Sequence, residues 1–282
     1  MADKNLNSLT DLIIFIKGAG DIASGVACRL YRACFHKIVM SEIADPLAVR
    51  RKVSFCEAVH NQAVTVEGIK AVLVSDMDGM HAGWDKGSIP VVVDPEGSMI
   101  EALHPHVVVD GIMAKRNIGT SIQDADLVIG LGPGFEGGKD VHVVVETNRG
   151  HNLGRLFYSG QAEPDTGIPG AVQYYTKERV LRSNANGIFK GIREIGDVIK
   201  KGEIVGHVDD HVIRAEIDGV IRGLIRSGTK VTNSLKIGDI DPRGIQEYCY
   251  TVSEKALALG GAVLEAILQK YNKEGVRAQG KK

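Results

Sequence analysis

Six short apolar runs dominate the hydrophobic pattern of the first half of the chain. They lie at residues 12–16, 37–42, 89–94, 106–110, 126–131 and 141–146. Valine and isoleucine follow one another in these runs with little polar alternation, which is typical of strands buried on both faces of a sheet. Residues 45–59 predict a helix, with Asp45 as its N-cap and Pro46 at its first position. The pattern therefore predicts an α/β fold with a Rossmann-like, mostly parallel sheet.

An internal repeat follows in the second half of the chain. Residues 184–210 align without gaps with residues 216–242, so that four glycines and five aliphatic positions coincide. Two units of this size cannot each enclose a core, but they can interlock with quasi-twofold symmetry. The repeat is similar to the small all-β barrel-sandwich fold of biotinyl and lipoyl domains, which carry a lysine in the turn between the halves. The equivalent turn, residues 207–213, has no lysine, so we expect a structural or partner-binding module.

These patterns predict three units. A Rossmann-like nucleotide-binding domain covers residues 1–165, and a barrel-sandwich-like repeat domain covers residues 180–245, with a loop rich in Gly and Pro between them. Residues 246–282 include a helical periodicity with Ser253 as a candidate cap, and we expect this helix to pack on the first domain.

A glycine-rich turn follows the first apolar run. Residues 18–23 read GAGDIA, which fits the dinucleotide-binding pattern, and Glu42 ends the next strand, where a carboxylate could accept hydrogen bonds from ribose. Asp21 argues against this interpretation, because it places a negative charge where the start of a helix would otherwise attract phosphate. Two interpretations remain open at this stage: a nucleotide site, or a turn that serves only the fold.

Polar residues and a second glycine-rich loop follow other strands of the predicted sheet. Ligands of open α/β sheets bind beyond the carboxyl ends of the strands, and Lys115 and Arg116 are either anion ligands there or a solvated pair. The loop at 129–140 forms either an anion nest or a long lid. The residues predicted to bind a cofactor are Gly18, Ala19, Gly20, Asp21, Ile22, Glu42, Asp94, Lys115, Arg116, Gly132, Gly134 and Arg149.

Catalytic chemistry is predicted for one short segment after the last of the six runs. Glu146 and His151 could move protons there, with Arg149 between them in the sequence; a structural network is the equally weighted alternative.

Composition narrows the classes of function. A formal net charge of -1 argues against a protein dedicated to binding nucleic acids or anionic membranes. No signal peptide is evident and no apolar run approaches ~18 residues, which favours a cytoplasmic protein. The four cysteines have no CxxC spacing and the histidines no helical pairing, so no metal site is predicted.

Several long motifs resemble one family along nearly the whole chain. The matching stretches are KGAGDIASGVACRL, SEIADPLAVRR, VDGIMAKRN, GLGPGFEGGKDVHVVVETNRGHNLGR, DTGIPG, SLKIGDIDPRG and SEKALALGGAVLEAIL. They resemble the accessory protein of the selenium-dependent molybdenum hydroxylase system, a relative of xanthine dehydrogenase accessory factors. The resemblance implies a maturation or cofactor-handling factor, with a molybdopterin-type dinucleotide as ligand and a molybdenum hydroxylase as partner; it supplies no catalytic residues.

Three functions are therefore expected as alternatives. The first is a maturation factor for molybdenum hydroxylases that binds a nucleotide or dinucleotide. The second is an NAD(P)-dependent oxidoreductase, in which Glu42 would favour NAD because a carboxylate repels a 2′-phosphate. The third is a non-enzymatic scaffold for a hydroxylase partner. A homo-oligomer is possible in each case.

Overall fold

The structure, a computed structural model, describes residues 8–279, with side chains described as far as residue 272. Residues 1–7 and 280–282, which the first and last predicted units include, lie outside the described residues. In the described part, no helix combines the length and apolarity that crossing a bilayer requires. The predicted domain boundaries and cytoplasmic location stay predictions.

Nine strands form the main sheet. They are β1 (Ile14–Lys17), β2 (Ile38–Glu42), β3 (Ala63–Val66), β4 (Ile69–Leu73), β5 (Ile89–Val93), β6 (Val107–Asp110), β7 (Leu127–Leu131), β8 (Val143–Val145) and β9 (Leu156–Phe157). Their order in the sheet is β3-β4-β5-β2-β1-β6-β7-β8-β9. Neighbours from β4 to β8 pair in parallel, whereas the β3–β4 and β8–β9 pairs at the two edges are antiparallel. Each of the six apolar runs overlaps one of these strands.

The two faces of this sheet bury different side chains. The helices are α1 (Asp21–Arg32), α2 (Glu57–Asn61), α3 (Met77–Asp85), α4 (Met99–Leu103) and α5 (Glu254–Gln279). Ile14 and Ile16 of β1 pack in the cluster that includes α1 and α5, whereas Phe15 packs on the opposite face with Met80 of α3. Strand residues alternate between faces, so a nearly continuous apolar run fills both layers.

Helices α1 and α5 approach closely because small residues meet at their contact. A Cβ atom placed on Gly25 would lie 2.5 Å from the Cβ of Ala256 and 2.9 Å from Cγ1 of Val252. Glycine is therefore needed at this position for close packing, and this packing brings the start of α5 beside the start of α1.

The repeat forms two small antiparallel sheets. Their strands are β10 (Val180–Arg182), β11 (Gly187–Gly191), β12 (Val198–Ile199), β13 (Ile204–Val208), β14 (His211–Arg214), β15 (Gly219–Leu224), β16 (Lys230–Val231) and β17 (Lys236–Asp241). The sheet orders are β10-β17-β15-β12 and β14-β13-β11-β16. Strands β11, β12 and β13 of the first copy correspond to β15, β16 and β17 of the second. Each copy places its short middle strand, β12 or β16, in the sheet of the other copy.

Residues 43–56 bridge the main sheet and the repeat sheets. The helix predicted over residues 45–59 was wrong: the segment is irregular apart from a 3-10 helix at Arg51–Val53 and the start of α2. The N–H of Leu224 donates to the carbonyl of Val49 at 2.8 Å, and Nε of Arg51 donates to the carbonyl of Leu224 at 2.7 Å. Hydrogen bonds to the repeat sheets thus replace those of a helix.

The predicted fold class requires correction. In place of a Rossmann-like, mostly parallel sheet with a barrel-sandwich domain, the chain has a large mixed sheet and two separate four-stranded antiparallel sheets. One reason is the β3–β4 hairpin, whose two-residue turn has positive φ at Glu67 (46°) and Gly68 (85°), the geometry of tight hairpin turns. The other is the reversal of the chain after β8, which adds β9 antiparallel at the opposite edge.

Candidate functional site

A cleft of about 390 Å³ lies between the start of α1, the loops that follow β6 and β8, and the repeat sheets. We call it the basic cleft, because more basic than acidic side chains line it. The eight basic residues are Arg50, Lys115, Arg149, Arg179, Arg182, Arg222, Lys236 and Lys255, and the four acidic residues are Asp21, Glu163, Asp165 and Asp239. Its volume falls in the range of small-molecule sites.

Arg50 is a buried cation of the basic cleft whose hydrogen bonding is incomplete. It is 7% exposed, and its Nη2 donates to the carbonyls of Tyr248 and Thr251 at 2.8 and 2.9 Å. Its Nε and Nη1 have no hydrogen-bond partner; Oδ2 of Asp21 lies 3.9 Å from Nη1, which is an ion-pair contact only. Burial, followed by the charge of Arg222, lowers the pKa of Arg50.

Arg222 lies beside Arg50 and also has a guanidinium nitrogen without a hydrogen-bond partner. It is 6% exposed, its Nε has no hydrogen-bond partner, and Oδ2 of Asp241 lies 3.7 Å from its Nη1. Asp241 itself is held by a bidentate contact from Arg243 at 2.9 and 2.7 Å. Because a buried donor without a partner costs roughly 1–3 kcal/mol, two such guanidinium groups together indicate an absent acceptor.

Other cations that line the basic cleft include two that are paired, Arg149 and Lys115, and the unpaired Lys255. Nη1 of Arg149 lies 2.8 Å from Oε1 of Glu254, and Nζ of Lys115 donates to Oδ2 of Asp165 at 2.6 Å. Lys255, the second residue of α5, has no hydrogen-bond or ion-pair partner among the described residues. Burial, followed by the charge of Arg149, lowers its pKa.

The loop after β6 carries backbone strain where it lines the basic cleft. Met113 and Lys115 both have a φ of 63°, a region that residues other than glycine adopt at an energetic cost. Lys17, 3% exposed, anchors the far end of this loop through Thr120, its Nζ donating to Oγ1 at 2.8 Å. Strain concentrated in one anchored loop is typical of binding sites.

Two N–H groups of the glycine turn have acceptors within the protein: that of Gly18 donates to the carbonyl of Ser41 at 2.8 Å, and that of Ala19 donates to Glu42. Oε2 of Glu42 accepts a hydrogen bond from the N–H of Ala19 at 3.0 Å, and its Oε1 accepts one from Ile43 at 2.9 Å. Gly18, at a φ of 87°, packs against the backbone of Ile112. Of the turn residues, only Asp21 and Ile22 line the cleft.

The remaining predicted ligand residues separate into two groups. Lys115 and Arg149 line the basic cleft. Asp94 instead accepts hydrogen bonds from Ser98 and Met99 at the start of α4.

The second glycine-rich loop serves packing. A Cβ atom on Gly132 would lie 2.6 Å from Oγ1 of Thr147, and one on Gly134 would lie 2.5 Å from the Cα of Arg116. Close backbone approach therefore accounts for these glycines. Neither they nor Arg116 are among the residues that line the cleft.

The two residues predicted to be catalytic lie in different places. Glu146 is fully buried, and its carboxylate accepts hydrogen bonds from the N–H groups of Asn148 at 2.6 Å and Glu163 at 2.7 Å. It therefore holds two loops together. His151 is exposed and lines a separate, shallow depression beside Tyr158 and Glu265.

Sequence reasoning missed the most informative residues of the cleft. Arg50 was assigned to a helix, and Arg222 and Lys255 were treated as parts of a repeat strand and a packing helix. Residues 163–170, interpreted as linker, line the cleft instead. The one available signal was a run of three basic residues between apolar ones, formed by Arg50, Arg51 and Lys52. Among the described residues, no group of three or more His, Cys, Asp or Glu side chains could hold a metal ion.

Comparison with known proteins gives relatives without an assigned activity and distant structural likenesses. No family model matches the chain. It is 46% identical over 266 residues to the "Uncharacterized protein YqeB" of Escherichia coli K12, an alignment that covers 94% of this chain and 49% of that protein. The chain thus spans about half the length of the curated relative that it matches.

Solved structures resemble the chain only weakly. One is an aspartoacylase family protein from Mesorhizobium loti, with 13% identity, 75% of this chain and 58% of that chain covered, and a TM-score of 0.24. Another is the ectoine utilization protein EutE (DoeB) from Ruegeria pomeroyi, with 10% identity, 81% and 85% covered, and a TM-score of 0.25. TcdA (CsdL) has 13% identity, 95% and 89% covered, and a TM-score of 0.34. TM-scores this low assign neither a fold nor a function to the chain.

The predicted function requires correction, since no comparison supports it. The comparisons give an uncharacterized relative and structures of aspartoacylase and desuccinylase proteins, not an accessory protein of molybdenum hydroxylases. The expected maturation factor for the selenium-dependent molybdenum hydroxylase system is therefore wrong. So are the NAD(P)-dependent oxidoreductase, whose turn is occupied by Glu42, and the hydroxylase scaffold. The family resemblance, a hydroxylase partner, a homo-oligomer and a nucleotide ligand stay predictions.

Proposed function

We propose that the chain binds a small, multiply anionic organic molecule, of the organic-phosphate class, in the basic cleft. The observation that carries the proposal is the buried guanidinium group of Arg50, which leaves two nitrogen atoms without hydrogen-bond partners beside a second buried arginine, Arg222. A buried cation next to a like charge is costly unless an anion balances it. An anionic ligand supplies that balance.

The charge of the cleft supports a multiply charged ligand. Eight basic residues and four acidic residues line the cleft. Two ion pairs form among them, one between Arg179 and Asp239 and one between Lys115 and Asp165. Eight basic residues against four acidic ones leave a surplus of four positive charges. A phosphate ester or pyrophosphate offers several acceptor oxygens to arginine nitrogens, which suits this surplus better than a single carboxylate does.

Titration calorimetry with inorganic pyrophosphate at low ionic strength tests the proposal. We expect saturable binding to the wild type, weakened by added salt. Arg149→Gln should raise the Kd of pyrophosphate by roughly tenfold, because it removes one charge-assisted contact. Lys139→Gln is the matched control, since Lys139 pairs only with the partly exposed Glu136, away from the cleft.

Two ligands define the class further. ADP that binds more tightly than pyrophosphate would indicate a nucleotide, and equal affinities would indicate that the cleft recognises phosphate alone. Adenosine, which lacks phosphate, should not bind. Absence of binding by pyrophosphate and ADP, or equal binding by Arg149→Gln and the wild type, would overturn the proposal.

A further inference from the structure

Lys255 differs from the other two lysines of the basic cleft because it is partly buried and also has no hydrogen-bond or ion-pair partner among the described residues. Lys115 is paired with Asp165, and Lys236 is an exposed residue at the start of β17. Lys255 lies partly buried in the first turn of α5, and no described residue forms a hydrogen bond or ion pair with it. A lysine usually extends its amine to water or to a carboxylate, so an unpaired amine at the wall of a cleft is a candidate for chemistry.

The surroundings of this amine oppose a positive charge. The N-terminus of a helix carries partial positive charge, and Lys255 stands in the first turn of α5. Arg149, from the loop after β8, repels it, while the nearby carboxylate of Glu254 is engaged by Arg149 itself at 2.8 Å. Lys236 adds a further repulsion.

Three carboxylates act in the opposite direction without cancelling this effect. Asp21 of α1, the buried Glu146 and Asp165 on the cleft wall favour the charged amine. Burial and Arg149 outweigh them, so the pKa of Lys255 is lowered. An amine with a lowered pKa is unprotonated in a larger fraction of molecules at neutral pH. In that form it is a nucleophile toward carbonyl groups.

We propose that the amine of Lys255 forms a reversible imine with an anionic aldehyde or ketone held in the basic cleft. The inference rests on the proposed function, because Arg149 and the buried arginines would hold the anionic group of the ligand. The nitrogen lone pair attacks the carbonyl carbon to give a carbinolamine. Loss of the carbonyl oxygen as water, with the two protons that leave the nitrogen, then gives the carbon–nitrogen double bond. No oxidant or reductant takes part.

Pyridoxal 5′-phosphate serves as the probe, because it combines an aldehyde with a phosphate. Full-length protein is incubated with less than one equivalent of probe, reduced with sodium cyanoborohydride, digested, and examined by peptide mass spectrometry. We expect the label on Lys255 to exceed that on any other lysine by at least about tenfold. Pyridoxal, which lacks the phosphate, should label surface lysines without this preference.

Variants distinguish the imine from binding. Lys255→Arg keeps the positive charge but cannot form an imine, so it should lose the label. It should still bind 4′-deoxypyridoxine 5′-phosphate, which has no aldehyde, as tightly as the wild type does. Lys200→Met is the control, since Lys200 is exposed and paired with Asp218.

Each outcome is decisive. If pyridoxal 5′-phosphate and 4′-deoxypyridoxine 5′-phosphate both bind but Lys255 is not the preferred site of labelling, the imine is overturned and the proposed function stays intact. Absence of binding by either phosphate, together with absence of pyrophosphate binding, would overturn both. Equal labelling of Lys255 by pyridoxal and its phosphate would overturn the requirement for an anionic group.

Discussion

The carboxylate of Glu42 accepts a hydrogen bond from the N–H of Ala19, with Oε2 and nitrogen 3.0 Å apart. The donor belongs to the glycine turn, and the acceptor comes from the neighbouring strand β2. Burial raises the pKa of Glu42, and the two backbone N–H groups oppose that rise by favouring the ionised form. The turn that resembles a pyrophosphate site therefore has its N–H occupied by the protein's own carboxylate. The anion site that we propose lies farther along, among the arginines of the basic cleft.

Asp21 is expected to weaken anion binding in the basic cleft. Its carboxylate is 35% exposed, lies 3.9 Å from Nη1 of Arg50, and accepts no hydrogen bond from a described residue. Asp21→Asn removes a negative charge near the proposed ligand and should tighten pyrophosphate binding by roughly three- to tenfold at low ionic strength. Calorimetry in low and high salt measures the change. Asp45→Asn, at an exposed position of the bridging segment, should leave the affinity unchanged; an unchanged affinity in Asp21→Asn would contradict the placement of the ligand.

We expect Lys255 to lower the free energy of unfolding at neutral pH. Its pKa is lowered in the folded state, so the folded protein disfavours the protonated amine, and wild-type stability falls as the pH drops from the ordinary pKa of lysine through the lowered one. Lys255→Met should therefore unfold at higher urea concentration than the wild type at pH 7, with the advantage shrinking as the pH approaches the ordinary lysine pKa. Lys200→Met should show no such trend. A Lys255→Met variant less stable than the wild type at pH 7 would contradict this assignment.

Glu146 is expected to act on loop structure rather than on chemistry. Glutamine at this position presents one acceptor and one NH2 group to two backbone donors, so one N–H loses its partner. Glu146→Gln should lower the free energy of unfolding by about 1–3 kcal/mol and speed hydrogen exchange at the amides of Asn148 and Glu163. Unchanged exchange at both amides would rule out the role. Glu163→Gln, whose own carboxylate bonds only side-chain amides, should leave the stability nearly unchanged.

The contact between α1 and α5 gives a matched pair of glycine substitutions. Gly25→Ala places a methyl group 2.5 Å from the Cβ of Ala256, whereas a Cβ atom on Gly261 meets nothing within 4 Å. Overpacking costs about 1–3 kcal/mol, which exceeds the roughly 1 kcal/mol that alanine gains over glycine in a helix. Gly25→Ala should therefore lower the Tm, and Gly261→Ala should raise it. Equal shifts in both variants, measured by calorimetry, would contradict the close packing of the two helices.

Local patterns in the sequence were sufficient for six of the nine strands of the main sheet. The apolar runs around Ile14 and Val108 form β1 and β6, because a strand buried on both faces needs apolar residues at successive positions. The offset between the repeat copies also holds in the structure: Gly187 and Gly219 both begin strands, β11 and β15. The hairpin turn at Glu67 was missed because glutamate rarely adopts positive φ.

The candidate site could not be predicted in the same way, because its residues meet only through tertiary packing. Arg50, Arg222 and Lys255 are far apart in the chain and belong to three different elements, and no spacing rule connects them. Arg50 also lies in a segment with helical periodicity, whose irregular path is fixed by hydrogen bonds to Tyr248 and Thr251. The catalytic role predicted for Glu146 stays a prediction, and its burial and its two hydrogen bonds to backbone N–H groups favour the structural alternative.

The exchange of β12 and β16 between the two repeat copies has a consequence for how this part of the chain folds. Ile199 of the first copy pairs with Gly219 of the second, and Gly187 of the first pairs with Val231 of the second. Neither sheet can be completed until both copies have left the ribosome, so the two halves must acquire structure in one cooperative step. The same arrangement would arise if two identical short chains, each lending a strand to the other, were joined end to end by gene duplication.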